Sequence, residues 1–395
     1  MPNRVAGRDG LGNRRPVRAN GKSWHGSRAG AFGGHPGPGP VRAGPPPRPR
    51  GWTARRDAAY SDATGKAERR SMTRSQDSFD PGRIELRPFA ERTNLVRLDG
   101  VLALGDRPEP YENLELTAFA DATADAVRRG APVVMLMGAH VIKQGLGRYV
   151  ADLLRRRWVS VLAMNGACAI HDYELARFGA TSEPVAEYIL DGRFGMWRET
   201  GEINDIVAHG ARRGLGFGEA VGRAVADSDF PHKDVSVFAA AWEAGVPATV
   251  HVGIGYDILH AHPNFDPAAT GAASGRDFLK LAKVVEGLEG GAVLCCGTAV
   301  MGPEVYLKAL SMARNVGRRE GREIRRFTSA VFDLVDLSGD PRREAPKDSP
   351  EYYYRPYKTV LVRTVRDGGR SHYVRGDHRA TLPELHRLLV ERLGA

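Results

Sequence analysis

The sequence has only three cysteines in 395 residues, Cys168, Cys295 and Cys296, and two of them are adjacent. Neighbouring cysteines rarely bridge, so no disulfide framework is available and the composition fits a reducing compartment. No apolar run approaches the about 20 residues that a membrane-spanning helix needs. HExxH, a CxxC pair and a tight carboxylate cluster are all missing, which removes the commonest zinc patterns. A complete GxGxxG is missing as well. "GLGRYV" at 145–150 and "GIGYDI" at 253–258 each lack the third glycine, and "GLGFGEA" follows a helical stretch and reads as a turn. Most of the chain also lacks net charge. Residues 1–80 hold sixteen Lys/Arg and six Asp/Glu, while residues 81–395 balance at 41 against 41, so the formal charge of +10 belongs to the first 80 residues. Beyond residue 80, nothing in the charge points to nucleic acid.

The first 80 residues are a basic tail. "AFGGHPGPGPVRAGPPPRPRG" is rich in Pro, Gly and Arg and poor in apolar residues. Such a segment buries too little surface to offset its ordering entropy, so disorder is expected. It has no apolar core of a signal peptide. An amphipathic Arg-rich transit peptide is the alternative to a tail that lies upstream of the true start, for which Met72 in "MTRSQDSF" is the candidate. The tail is expected to be dispensable for folding, and the protein is expected to be soluble and cytoplasmic.

What the chain does contain, from about residue 110 onward, is an alternation. Short continuous apolar runs such as "VVMLM", "VSVLAM", "PATVHV", "AVLCC" and "FTSAVFD" are separated by stretches of helical spacing. That pattern predicts an α/β fold, a parallel Rossmann-like sheet covered by helices on both faces. "KTVLVRTV" and "SHYVRG" read as two more strands, and "TLPELHRLLVERL" as a closing amphipathic helix. No internal repeat is present.

Each apolar run ends in a loop of Gly with polar or small residues: "GAHVIKQG", "NGACAIHD", "GIGYDILHAH", "GTAVMGPE" and "LVDLSGD". Open α/β sheets bind ligands outside the carboxyl ends of their strands. A dinucleotide pocket is therefore expected around Gly138, Ala139 and His140, around Asn165, Gly166 and Ala167, and around Gly253 and Gly255. Turns of this kind use Gly and Asn in any case, so the recurrence of His and Asp among them carries the reading. A metal reading would rest on His251, His260 and His262 with Asp257 and the pair His171–Asp172. No metal ligand is assigned, because buried histidines more often serve as hydrogen-bonded core residues. Cys295 and Cys296 have no base tied to them by sequence and read as packing residues.

The run "PVVMLMGAHVIKQGLGRYVADLLRRRWVSVLAMNGACAIHDYEL", taken with "ATVHVGIGYDIL", "AVLCCGTAV", "FDLVD", "YRPYKTVLV" and "YVRGDHRATLPELHRLLV", resembles the deoxyhypusine synthase family, in order over roughly residues 110–395. The resemblance implies a homotetrameric NAD-dependent transferase. It would move an aminoalkyl group from a polyamine through an imine on a lysine, in deoxyhypusine or homospermidine formation. It implies Lys358 as that lysine, Asp257 in the polyamine pocket, Asp172 and Asp377 at the cofactor, and Asp333 and Asp336 in register with two family acids. Asp336 and Glu351 would help Asp257 to hold a cationic substrate, and His260 would move protons near neutral pH. The sequence departs from the family at Pro356, where a tryptophan is usual, at the "NGAC" turn, at "GPE", and by one residue at Glu351. The alternatives are a non-catalytic NAD-binding or sensor protein and a metal-dependent hydrolase built on the His/Asp cluster.

Overall fold

The five residues of "VVMLM" are all buried, as a strand covered on both faces requires. Alternate side chains then serve opposite layers. Met135 and Met137 join one apolar cluster, and Val134 and Leu136 join the other. The computed structural model describes residues 78–106 and 110–394, so the expectations for the tail fall largely outside the described residues.

In chain order the strands are β1 (Val96–Arg97), β2 (Val133–Met137), β3 (Val161–Met164), β4 (Ala180–Thr181), β5 (Ala248–Val250), β6 (Ala292–Cys296), β7 (Thr328–Asp333) and β8 (Arg370–Arg375). The helices are α1 (Leu114–Arg128), α2 (His140–Lys143), α3 (Gly147–Arg155), α4 (Gly166–Phe178), α5 (Val185–Tyr188), α6 (Arg198–Arg212), α7 (Phe217–Ala226), α8 (Val237–Ala244), α9 (Pro267–Val285), α10 (Met301–Arg319) and α11 (His378–Leu393). Six strands form one sheet in the order β5-β3-β2-β6-β7-β8, and every pair is parallel. β1 and β4 form a separate antiparallel pair. The chain builds outward from β2 to β5, returns to the centre at β6, and then builds outward the other way. This is the doubly wound order, with its reversal between β2 and β6. Leu116, Tyr149, Phe238 and Leu385 from α1, α3, α8 and α11 pack on one face. Leu281, Val285 and Leu310 from α9 and α10 pack on the other.

One expected strand is a helix. Residues 356–363, "PYKTVLVR", form a π-helical segment entered through Pro356. β7 and β8 pair in parallel, so the chain between them has to run back along the sheet, and it does so as a crossover. The β-branched side chains are buried against the sheet in that conformation, and Ser329 Oγ donates to the Val360 carbonyl at 2.8 Å. Topology overrides local strand preference here.

Asp172 and Asp277 are buried carboxylates that hold elements together. Asp172 accepts from Ser236 Oγ at 2.5 Å and from the Val237 N–H at 2.7 Å, at the start of α8. Asp277 accepts from the N–H groups of Val250 at 2.8 Å and Gly218 at 2.9 Å, and so ties the edge strand β5 to α7. Burial pushes each of them up to about 7. A carboxyl whose folded pKa lies above its unfolded value near 3.9 stabilises the fold fully below that unfolded value. Its contribution is lost as pH rises through about 7. Asp172→Asn keeps an acceptor for the Val237 N–H and a partner for Ser236. The variant is expected to lose less melting temperature than the wild type between pH 5 and pH 8. Equal losses in the two proteins would show that Asp172 is not protonated in the fold.

Candidate active site

At the reversal of strand order the two central loops touch. A Cβ on Gly138, just after β2, would overlap the carbonyl oxygen of Gly297, just after β6, so only glycine permits this approach. Gly297 itself has φ +64° and faces the ring of His378, whose Nδ1 lies 3.5 Å from Cys296 Sγ. Asp377 caps α11 through the Arg379 N–H at 2.7 Å and reaches Gln144 Nε2 at 3.5 Å. Gly138, Ala139, His140 and Asp377 therefore gather at one edge of the sheet. The 19-residue α10 begins there too, and Thr298 Oγ1 accepts from the Gly302 N–H of its first turn at 3.0 Å. A long helix starting beside close-packed glycines fits the diphosphate of a dinucleotide.

One and two strands over, at the carboxyl ends of β3 and β5, lies a cavity of about 230 Å³. Its walls include Lys143, Ala167, His171, Glu174, Glu183 and Asp257. The loop after β5 turns Tyr256 outward, 84% exposed, and Asp257 inward. The Asp257 carboxylate sits at the N-terminus of α4 and accepts from the Ala167 N–H, while burial pushes it up to about 6. Asn165 is the residue that would normally cap α4, but its side chain makes no such bond and instead accepts from Cys168 Sγ at 3.1 Å. Asp257 takes over the cap from across the cavity, where the helix dipole favours an anion. A Cβ on Gly166 would collide with that carboxylate. The glycine expected to cradle a dinucleotide thus makes room for Asp257.

The rest of the wall is a buried network. Arg92 donates to both oxygens of Glu174, at 2.9 and 2.7 Å, and Glu174 also accepts from Thr181 Oγ1 at 2.5 Å and Thr200 Oγ1 at 2.6 Å. The guanidinium stacks 4.0 Å above the Phe89 ring. His171 Nδ1 lies 2.7 Å from Thr181 Oγ1, and burial lowers its pKa to about 4, so the ring is uncharged at neutral pH. Glu183 is raised by burial and accepts from Trp197 Nε1 at 2.7 Å and from the Gly195 N–H at 3.2 Å. Ser182, on the cavity wall, holds φ +65°, an unusual backbone for serine. Such strain persists where the surroundings fix it, often at ligand sites.

Other expected site residues lie elsewhere. Lys358 does not open a strand. It stands on the crossover helix with Nζ 3.7 Å from the centre of the Tyr352 ring, on the sheet face covered by α9 and α10. Asp172 is 1% exposed and engaged by α8, so it is a core residue and not a cofactor contact. Asp336 pairs with Arg375 at 3.1 Å, and Glu351 accepts from the Ser338 N–H at 2.6 Å. Both order the loop after β7. Asp333 accepts from Tyr354 Oη at 2.5 Å. His260 uses Nδ1 to accept from the Gly255 and Asp257 N–H groups at 3.0 and 3.2 Å, which fixes the loop that presents Asp257. His251 bonds Thr249 Oγ1 at 3.0 Å and His262 bonds the Gly195 carbonyl at 2.7 Å. Among the described residues no group of three or more His, Cys, Asp or Glu is arranged to hold a metal. The three cysteines are buried, with thiol pKa values pushed up by burial.

Sequence reading missed Lys143, Glu174, Glu183 and Arg92. Lys143 and Glu174 lie in stretches already noted ("HVIKQG", "IHDYE"), whereas Glu183 lies outside them and Arg92 lies 82 positions from its partner Glu174. The only signal for Lys143 and Glu174 was their place downstream of expected strand ends.

No family model matches the chain, and no curated protein matches it. Among solved structures it is similar to the apo form of ArgZ, an arginine dihydrolase from the ornithine-ammonia cycle in cyanobacteria, at 17% identity and a TM-score of 0.42. That likeness covers 72% of this chain and 33% of ArgZ, so the chain spans about a third of that enzyme. A conserved protein assigned as LOR/SDH from Methanococcus maripaludis S2 is similar at 14% identity and a TM-score of 0.42, over 73% of each chain. A protein assigned as a deoxyhypusine synthase from Entamoeba histolytica is similar at 8% identity and a TM-score of 0.34, over 71% of this chain and 88% of that one.

Proposed function

We propose that the protein is an NAD-dependent enzyme acting on a small amine, and that its reaction is aminoalkyl transfer, in which an imine made from one amine is taken over by a second. The observation that carries this reading is the position of Asp257. It is a carboxylate held at a helix start in a small, half-open cavity, next to the crevice where a doubly wound sheet takes a dinucleotide. The two spaces divide the task. At about 230 Å³ the cavity falls below the roughly 300 Å³ at which pockets for larger ligands begin, so it suits the amine. The crevice at Gly138, Gly297 and the start of α10 suits the cofactor. NAD, when bound, supplies a hydride acceptor that turns an amine into an imine and back.

The chain's own residues then have definite roles. Asp257 orients the ammonium and, with a pKa near 6, can take its proton close to neutral pH. His171, uncharged and tied to Thr181, shapes the cavity without repelling a cation. Tyr256, 84% exposed, lines the mouth. With Lys358 lodged over Tyr352, the second amine adds to the imine carbon directly, the first nitrogen takes a proton and leaves as an amine, a new imine remains to be reduced, and no lysine adduct is needed. NAD at a hundredfold excess over its dissociation constant is expected to stabilise the fold by about 2.7 kcal/mol. Lys358→Arg is expected to keep turnover. Borohydride added during turnover is expected to leave Lys358 unmodified in the wild type. A borohydride-trapped adduct on Lys358 would restore the lysine route, and absence of any stabilisation by NAD would remove the cofactor.

A further inference from the structure

The cavity holds more charged groups than an amine requires, and all but one of those opposite Asp257 are already engaged. The Arg92 guanidinium is committed to Glu174 and Asn94. Glu174 is saturated by Arg92, Thr181 and Thr200. Glu183 is occupied by Trp197 and Gly195. Lys143, at the last position of α2, lines the same space. Its ammonium makes no hydrogen bond or ion pair to any described residue, Asp257 included. His171 lies close enough for the Lys143 charge to act on it, but it is uncharged and cannot balance that charge. The cavity thus offers one cation and, apart from it, one ionisable acid whose only partner is a backbone N–H.

We propose that the substrate amine also carries a carboxylate, so that this site takes an amino acid with its ammonium at Asp257 and its carboxylate at Lys143. The inference rests on the amine reading above and names its substrate class. A diamine or polyamine would set a second ammonium against Lys143 in a small, half-open cavity, where like charges repel. A carboxylate there meets a charge-assisted donor.

Matched ligand pairs that differ only by the carboxylate test this: ornithine against putrescine, and lysine against cadaverine. Dissociation constants are measured by calorimetry on the full chain with NAD present at pH 8. The amino acid of each pair is expected to bind at least about tenfold tighter, the effect of one charge-assisted hydrogen bond. Lys143→Met, and Lys143→Gln as a variant that keeps polarity, are expected to bring that ratio to near one while diamine binding is kept or tightened. Their melting temperatures confirm folding. If the diamines bind as tightly as the amino acids in the wild type, or if the ratio survives in both Lys143 variants, the carboxylate assignment is overturned. If no member of either pair binds, the amine reading itself falls, and this assignment with it.

Discussion

Asp257→Asn is expected to weaken amine binding at pH 8 by about 1.5–3 kcal/mol, roughly 10- to 150-fold, and to remove its pH dependence between pH 5 and 8. The carboxyl is held near 6 by burial, against the pull of the Ala167 N–H that favours its charged form. In the wild type it is ionised above that value, which makes it available for the proposed pairing with a substrate ammonium. As pH falls through about 6 it takes a proton, and binding weakens. Asparagine still offers an oxygen to the N–H at the start of α4, so the helix keeps its cap and the change isolates the charge. Calorimetric titrations of both proteins across this pH range decide the matter. A flat profile in the wild type would mean that the carboxylate does not hold the amine.

Arg92→Met is expected to cost about 3–5 kcal/mol of stability, a fall of roughly 10 °C in Tm for a chain of this size. The pair it breaks is almost wholly buried, with side chains 1% and 0% exposed. Removing one member leaves the Glu174 charge with only two hydroxyl donors. The double variant Arg92→Met, Glu174→Gln removes both charges and is expected to recover much of the loss, because an uncharged amide is far cheaper to bury than a lone carboxylate. Thermal unfolding of the wild type, both single variants and the double variant, four proteins in all, gives the coupling directly. If the single variant melts within 2 °C of the wild type, water or rearrangement reaches Glu174 and the network is not a fixed wall of the cavity.

The architecture was largely visible in the sequence, because fully buried parallel strands write themselves as unbroken apolar runs and their carboxyl ends as glycine turns. Asp257 could be placed for the same reason. Lys358 could not, since "KTVLVRTV" has the composition of a strand and only the parallel pairing of β7 with β8 forces it into a crossover. Asp172 adjoins a histidine in a strand-end motif, yet helical geometry turns it toward α8 while His171, one position earlier, meets the cavity. Neighbours on a helix face different directions. The Arg92–Glu174 pair lay beyond any local pattern, because its members meet only after the sheet has formed.

The order of the strands also sets the order in which the two ligand spaces come into being. β2 pairs with β3 across a short stretch of chain, Val134 with Val161, whereas its other neighbour is distant, Val133 with Ala292. Closing the longer loop costs more entropy and needs far more of the chain to be present. On the ribosome, the walls of the smaller cavity, from Arg92 to Ile258, emerge before any of β6 does. The crevice between Gly138 and Gly297 has no second side until that strand docks. A nascent chain therefore brings out the cavity proposed for the amine first, and the crevice proposed for the dinucleotide gains its second side only when the second half of the sheet closes on the first.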